Sequence, residues 1–235
     1  MKKTRTKKTQ QPKNRPLKNN LEEIYHNISK AKKPNTKVKL LAVTKTRTKK
    51  IIQDAIKLGI TCFGENKVQE AEKKFYNKPD NIELHLIGHL QKNKIKKAVK
   101  IFDVIETVDS LELAKKINFQ AAQNNKKQRV YCQINIGNDP QKFGFNTLEA
   151  LQSINKIKEL KNIVLEGTMT ILPFNLSEKE NQQLYRETQI THQKINKNCP
   201  TCKELSMGMS GDYITAIRCG ATIVRIGTGL FGERQ

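Results

Sequence analysis

The sequence predicts an α/β protein: a single (β/α)8 barrel with an extra helix before its first strand. Three observations point there. Runs rich in Val, Ile and Leu alternate along the chain with stretches of helical spacing. Strands joined through helices must run parallel, and their continuous apolar character fits burial on both faces. The 235 residues also suit one domain, since such barrels occupy roughly 200–250 residues. An open doubly wound sheet would carry a glycine-rich turn after its first strand; here that turn reads TKTRTKK, without glycine.

Each element follows in order. The opening helix, Leu17 to Ala31, puts Leu21, Ile24, Tyr25 and Ile28 on one face. KLLAVTKT is the first strand, and its helix runs from Lys49 to Leu58 before Gly59 stops it. ITCFGE pairs with a helix over Val68 to Tyr76, and IELHLIGHL with a basic helix ending at Ile101. DVIETV precedes Leu111 to Gln123, and RVYCQINI precedes Leu148 to Leu160. IVLEGTMTI leads to a helix from Ser177 to Ile195, KELSMGMS to a short one in GDYITAIRCG, and TIVRIG closes the series.

Charge is the most conspicuous feature of the composition, at +22 with 44 Lys and Arg. Eight of those lie in Met1 to Asn20, which has no acidic residue and almost nothing apolar. We read residues 1–16 as a disordered basic tail ahead of a domain spanning 17–235. Lys92, Lys94, Lys96, Lys97 and Lys100 concentrate on the basic helix that ends at Ile101. Without aromatic interleaving or zinc-finger spacing they read as a solvated face, not a specific nucleic-acid site. No apolar run approaches the ~18 residues of a membrane span, and none follows the N-terminal lysines as a secretory signal would. Five cysteines, an odd and sparse set, fit reduced thiols in the cytoplasm better than a disulfide framework.

A barrel carries its active site at the C-terminal strand ends, often with phosphate held after strands seven and eight. At the first of these ends Lys45 continues the row of Leu41 and Val43. It is either a lysine snorkelling from the barrel mouth or an amine whose burial favours imine formation with an aldehyde. Ser206, Gly208 and Ser210 fall at the end of strand seven, and Gly227, Thr228 and Gly229 directly after strand eight. Glycines and hydroxyls there suit a phosphate. Arg225 is a permanent cation in an apolar strand and needs an acceptor. A reactive lysine, a phosphate cradle and an arginine together describe a pyridoxal phosphate site.

Six ordered motifs carry a resemblance to a known family: LLAVTKT, FGENKVQE, HLIGHLQKNK, EGTMTI, LSMGMSGDY and VRIGTGLFGER. Together they closely resemble the pyridoxal phosphate homeostasis proteins, the proline synthase co-transcribed homologue family, over Leu17 to Arg234. The resemblance implies a fold type III barrel, with pyridoxal 5'-phosphate held on Lys45 as an aldimine. It also implies that Ser206, Gly227 and Thr228 bind the phosphate, that Arg225 faces the pyridine nitrogen and that Asn66 lies beside the ring. Lys142, in the family's K-x-G segment with Phe143 and Gly144, becomes a secondary cofactor lysine or an ordinary surface residue. Gly229, where the family usually has a bulkier residue, is expected to loosen its loop.

The implied role is a cytoplasmic monomer that carries the cofactor, with apo-enzymes as recipients and indirect effects on amino and keto acid balance. A low-activity racemase is the alternative, since the barrel also resembles the N-terminal domain of alanine racemase. A racemase needs a second base on the opposite cofactor face. In that enzyme it comes from a partner subunit, beside a C-terminal β domain for which no residues follow the eighth strand here. No metal is expected: Cys199 and Cys202 form a lone C-x-x-C. His85 and His89, read as one strand face, belong to core or pocket wall. Gln133 and Asn135 are expected near the barrel mouth.

Overall fold

The computed structural model describes residues 16–233, so residues 1–15 of the expected basic tail (1–16) lie outside the described residues. Eight strands close in chain order into a parallel barrel: β1 (Lys39–Val43), β2 (Cys62–Glu65), β3 (Glu83–Leu86), β4 (Val104–Val108), β5 (Gln128–Ile134), β6 (Ile163–Thr170), β7 (Glu204–Met209) and β8 (Ile223–Ile226). β8 pairs with β1, setting Arg225 beside Leu41. The helices are α1 (Leu17–Ala31), α2 (Lys49–Lys57), α3 (Val68–Phe75), α4 (Ile95–Ile101), α5 (Leu111–Ala122), α6 (Thr147–Lys158), α7 (Glu178–Asn198), α8 (Tyr213–Arg218) and α9 (Thr228–Phe231).

Local chemistry accounts for the boundaries. Thr48 and Ser110 cap α2 and α5 by accepting from the backbone N–H of Ile51 and Leu113. Reciprocal capping boxes, Asn146 with Glu149 and Ser177 with Glu180, start α6 and α7. Gly59 ends the turn after α2 with φ +86°, a conformation open to glycine at little cost. α1 lies against α8 and α9, where Asn20 donates to the Leu230 carbonyl at 3.0 Å and Asn27 to the Tyr213 hydroxyl at 2.9 Å. Leu21, Ile24 and Ile28 are buried, but Tyr25 stays 46% exposed at the edge of that apolar face.

The two strand faces separate into two cores. Outward residues such as Leu40, Ala42, Phe63 and Leu84 join the helices in one large apolar cluster. Inward residues form a much smaller one, including Leu41, Cys62, Val104, Tyr131 and Ile223. The rest of the interior is polar, with His85, Glu106, Ser206 and Arg225 all buried. β3 is shorter than its apolar run, because the chain turns at Gly88 against the backbone of Asn66. A Cβ on Gly88 would lie 2.3 Å from the Asn66 carbonyl oxygen. His89 therefore leaves the strand face of His85 and stacks on Phe143 at 3.6 Å between ring centres.

Candidate functional site

The C-terminal strand ends surround a cavity of about 500 Å³. Lys45, Asn66, Arg225, Gly227 and Thr228 all line it, brought together from three separate stretches of chain. Val43, Ile87 and Ile171 supply apolar wall. Such a cleft, mostly apolar with a few convergent polar groups, is the usual form of a small-molecule site.

Lys45 is half-buried in the turn after β1. Both peptide groups beside it are held by α3. Lys74 Nζ donates to the Thr44 carbonyl at 2.6 Å, and the Thr46 N–H donates to Glu70 Oε1 at 2.5 Å. Lys74 also pairs with Glu65 at 3.0 Å and Glu70 at 2.6 Å. The Thr44 hydroxyl donates to Glu65 Oε1 at 2.7 Å. Thr46 has φ +63°, a strained value for a β-branched residue. Burial raises the Glu65 pKa despite the donors on it. Burial also opposes ionisation of Glu70, but Lys74 and the Thr46 N–H outweigh it and lower its pKa.

Arg225 is 4% exposed. Its Nη1 donates to Ser206 Oγ at 2.7 Å and its Nη2 to the Thr170 carbonyl at 2.6 Å. Burial lowers its pKa, against the attraction of Glu106, but a guanidinium stays charged at neutral pH. Two of its five N–H donors are accounted for in this way, so donors remain for a ligand atom.

Ser206 departs from expectation. It is wholly buried below the cavity floor, where its hydroxyl donates to Glu106 Oε2 at 2.6 Å and accepts from Arg225. A hydroxyl so committed does not sit where a phosphate in the cavity would be. Ser210, one turn of chain later, lines the cavity instead. Its Oγ accepts from the Gly229 N–H at 3.1 Å. That bond ties the Gly229 backbone to the loop after β7, and an added Cβ on Gly229 would stand 3.3 Å from Ile226 and 3.4 Å from Ser210. Gly211 is open, with nothing within 4 Å of an added Cβ.

Lys142 sits at the rim. The loop after β5 folds back so that Phe145 bridges to Ile134. Gly144, at φ +130° and against the Asn135 backbone, makes that return. Gln133 and Asn135 hold the loop, donating to the carbonyls of Phe143 and Lys142. Lys142 Nζ donates to the Leu172 carbonyl and stands 4.9 Å over the ring of Phe174, a residue of the cavity wall. Burial lowers its pKa, partly offset by Asp139.

The opposite end of the barrel is closed by ion pairs. Glu83 meets Lys39 at 2.8 Å and Arg129 at 2.5 Å, and Arg129 meets Glu166 at 2.7 Å. Cys62, Glu83 and His85 bring donor atoms within 4.8 Å of one another. The Glu83 carboxylate, however, is already bonded by two cations that would face any metal ion. Cys199 and Cys202 are buried, and burial raises the Cys202 pKa well above the thiol range. Two lysines of the basic segment are paired, Lys92 with Glu112 at 2.8 Å and Lys97 with Glu72 at 3.0 Å.

Comparison with known proteins shows what the chain is similar to. Residues 19–235 match the family described as alanine racemase, N-terminal domain. A pyridoxal phosphate homeostasis protein of Pasteurella multocida is 37% identical over 219 residues, 91% of this chain and 94% of that one. One from Synechocystis is 39% identical over 214 residues, 90% of this chain and 97% of that one. The solved structure of PipY from Synechococcus elongatus with PLP bound superposes with TM-score 0.82 at 32% identity, covering 92% of this chain and all of that one. Alanine racemase of Clostridium difficile shares the fold, with TM-score 0.77 at 20% identity over 57% of its own length.

Proposed function

The chain belongs to the pyridoxal phosphate homeostasis protein family, within the wider alanine racemase N-terminal domain family, and from that membership we propose that it binds pyridoxal 5'-phosphate and carries it in an intracellular homeostasis role. One observation carries the reading: Lys45, Asn66 and the segment that holds Arg225, Gly227 and Thr228, far apart in sequence, line one cavity. These residues fit the group. Lys45 offers an amine to an aldehyde, Arg225 an N–H to an unprotonated ring nitrogen, and Thr228, Gly227 and Ser210 the hydroxyl and close backbone approach that a phosphate needs. When bound, pyridoxal phosphate supplies an aldehyde and an electron-withdrawing ring.

The protein's own groups favour carriage over turnover. α3 holds Lys45 in place through the peptides on either side of it. An arginine at the ring nitrogen keeps that nitrogen unprotonated and so weakens the electron sink that amino-acid chemistry needs. Delivery to apo-enzymes in the cytoplasm completes the reading, with Lys142 at the rim as a second lysine able to receive or release the cofactor.

Borohydride reduction of protein loaded with pyridoxal phosphate, followed by peptide mass spectrometry, tests it. The expected adduct is on Lys45, with any second adduct on Lys142. Absence of a reducible adduct on Lys45 overturns the proposal. Solvent deuterium entering Cα of an amino acid at useful turnover would favour the racemase reading instead.

A further inference from the structure

Arg225 reaches the cavity at the end of a hydrogen-bonded line through the barrel interior. His85 Nδ1 stands 2.6 Å from Glu106 Oε1. The other oxygen, Oε2, accepts from the Ser206 hydroxyl at 2.6 Å, and Ser206 Oγ accepts from Arg225 Nη1 at 2.7 Å. His85, Glu106 and Ser206 are wholly buried. Glu106 lies where the β4–β5 register shifts between Ile105 and Val108, and Ser206 where the β7–β8 register shifts toward Met209. Both irregularities fall at the same level of the barrel and turn polar side chains inward among apolar ones.

The direction of the Ser206 proton decides what Ser206 can offer Arg225. A serine hydroxyl has one proton and two lone pairs. Facing a carboxylate, which only accepts, the hydroxyl must point its proton at Glu106 and leave its lone pairs for the guanidinium. His85 supports the charge on that carboxylate from the other side. Burial disfavours its imidazolium, yet Cys62, Glu106 and Glu83 hold its pKa well above the ordinary value of 6.5. On the far side of Arg225, Nη2 is anchored to the Thr170 carbonyl at 2.6 Å. Two anchors on different nitrogens define the guanidinium plane.

We propose that Glu106 is a positioning residue for Arg225: acting through Ser206, it fixes the plane from which the remaining guanidinium N–H groups meet an acceptor in the cavity. The proposal rests on the pyridoxal phosphate reading only for the identity of that acceptor. The positioning itself is a property of the unliganded chain.

Nitrogen NMR of the Arg225 guanidinium in unliganded protein tests it, on the wild type, Glu106→Gln and Ser206→Ala. Separate, slowly exchanging Nη signals are expected in the wild type and averaged signals in both variants. Titration with pyridoxal phosphate should then show affinity weakened about tenfold, as for loss of one charge-assisted hydrogen bond. The Lys45 adduct should still form at saturation. A merely structural Glu106 would lower Tm and leave the Arg225 signals separate. Averaged signals in the wild type, or separate signals in Ser206→Ala, overturn the proposal. Ser206→Ala, which removes a single oxygen, decides the matter if circular dichroism shows Glu106→Gln unfolded. A wild type that forms no Lys45 adduct would refute the cofactor reading, while the guanidinium signals would still judge the positioning.

Discussion

The two ends of the barrel use the same kind of cation for opposite purposes. At the N-terminal end Lys39 and Arg129 both meet the Glu83 carboxylate, and Arg129 also meets Glu166. Charge is neutralised by charge, and the end is closed. At the C-terminal end Arg225 hydrogen-bonds a hydroxyl and a carbonyl, neutral acceptors that orient it without cancelling its charge. The difference teaches that the partner decides the role of a cation at a barrel end. Carboxylates in direct contact make a plug; neutral acceptors leave a charge poised for a ligand.

That contrast can be broken at several points, beginning with the cavity. Lys45→Ala should abolish the reducible pyridoxal phosphate adduct and its absorbance, read by borohydride trapping and by spectrophotometry. Next, Lys74→Met removes the cation from Glu65, whose carboxylate is wholly buried. Leaving that charge without its partner should cost about 3–5 kcal/mol in urea unfolding. It should also slow borohydride trapping at Lys45, because the Thr44 carbonyl loses its clamp.

Gly88→Ala forces a methyl toward the Asn66 backbone, 2.3 Å away. We expect a loss of about 1–3 kcal/mol, with weaker cofactor binding measured by titration.

The plug gives a pH signature instead. Burial opposes ionisation of Glu83, but His85 and Lys39 lower its pKa far below the ordinary 4.5. A lowered folded pKa means its stabilisation is complete above the unfolded value and fades as pH falls toward the folded one. Glu83→Gln should therefore destabilise the protein near neutral pH and flatten the acid limb of its stability curve, with cofactor affinity at neutral pH little changed. The smallest effect is expected from Glu112→Gln, which removes exposed pairs with Lys92 and Lys116 and should leave Tm unmoved.

The barrel was legible because periodicity reports burial: strands enclosed on both faces have to be apolar, and their helices have to be amphipathic. The same reasoning misplaced Tyr25 and overextended β3, since a run of apolar residues does not reveal that Gly88 must turn against Asn66. Lys45 and Arg225 stood out as cations within apolar rows. Ser206 and Ser210 fall on one face of the period, four residues apart, and period alone cannot say which serine reaches the cavity and which lies beneath it. Glu65 and Glu70 were visible within FGENKVQE, and Glu70 with Lys74 at helical spacing, but their grip on the peptides beside Lys45 crosses from α3 to β1.

The sequence by itself determined the architecture, the residue types at the mouth and the family, because alternation and ordered motifs are properties of the linear chain. Only the tertiary structure decided which hydroxyl lines the cavity and that Glu106, 119 positions before Arg225 in the chain, lies one serine away from it. The physical reason is barrel closure. It brings side chains from β3, β4, β7 and β8 to one level inside the barrel, and the register shifts that set that level leave no periodic trace in the sequence.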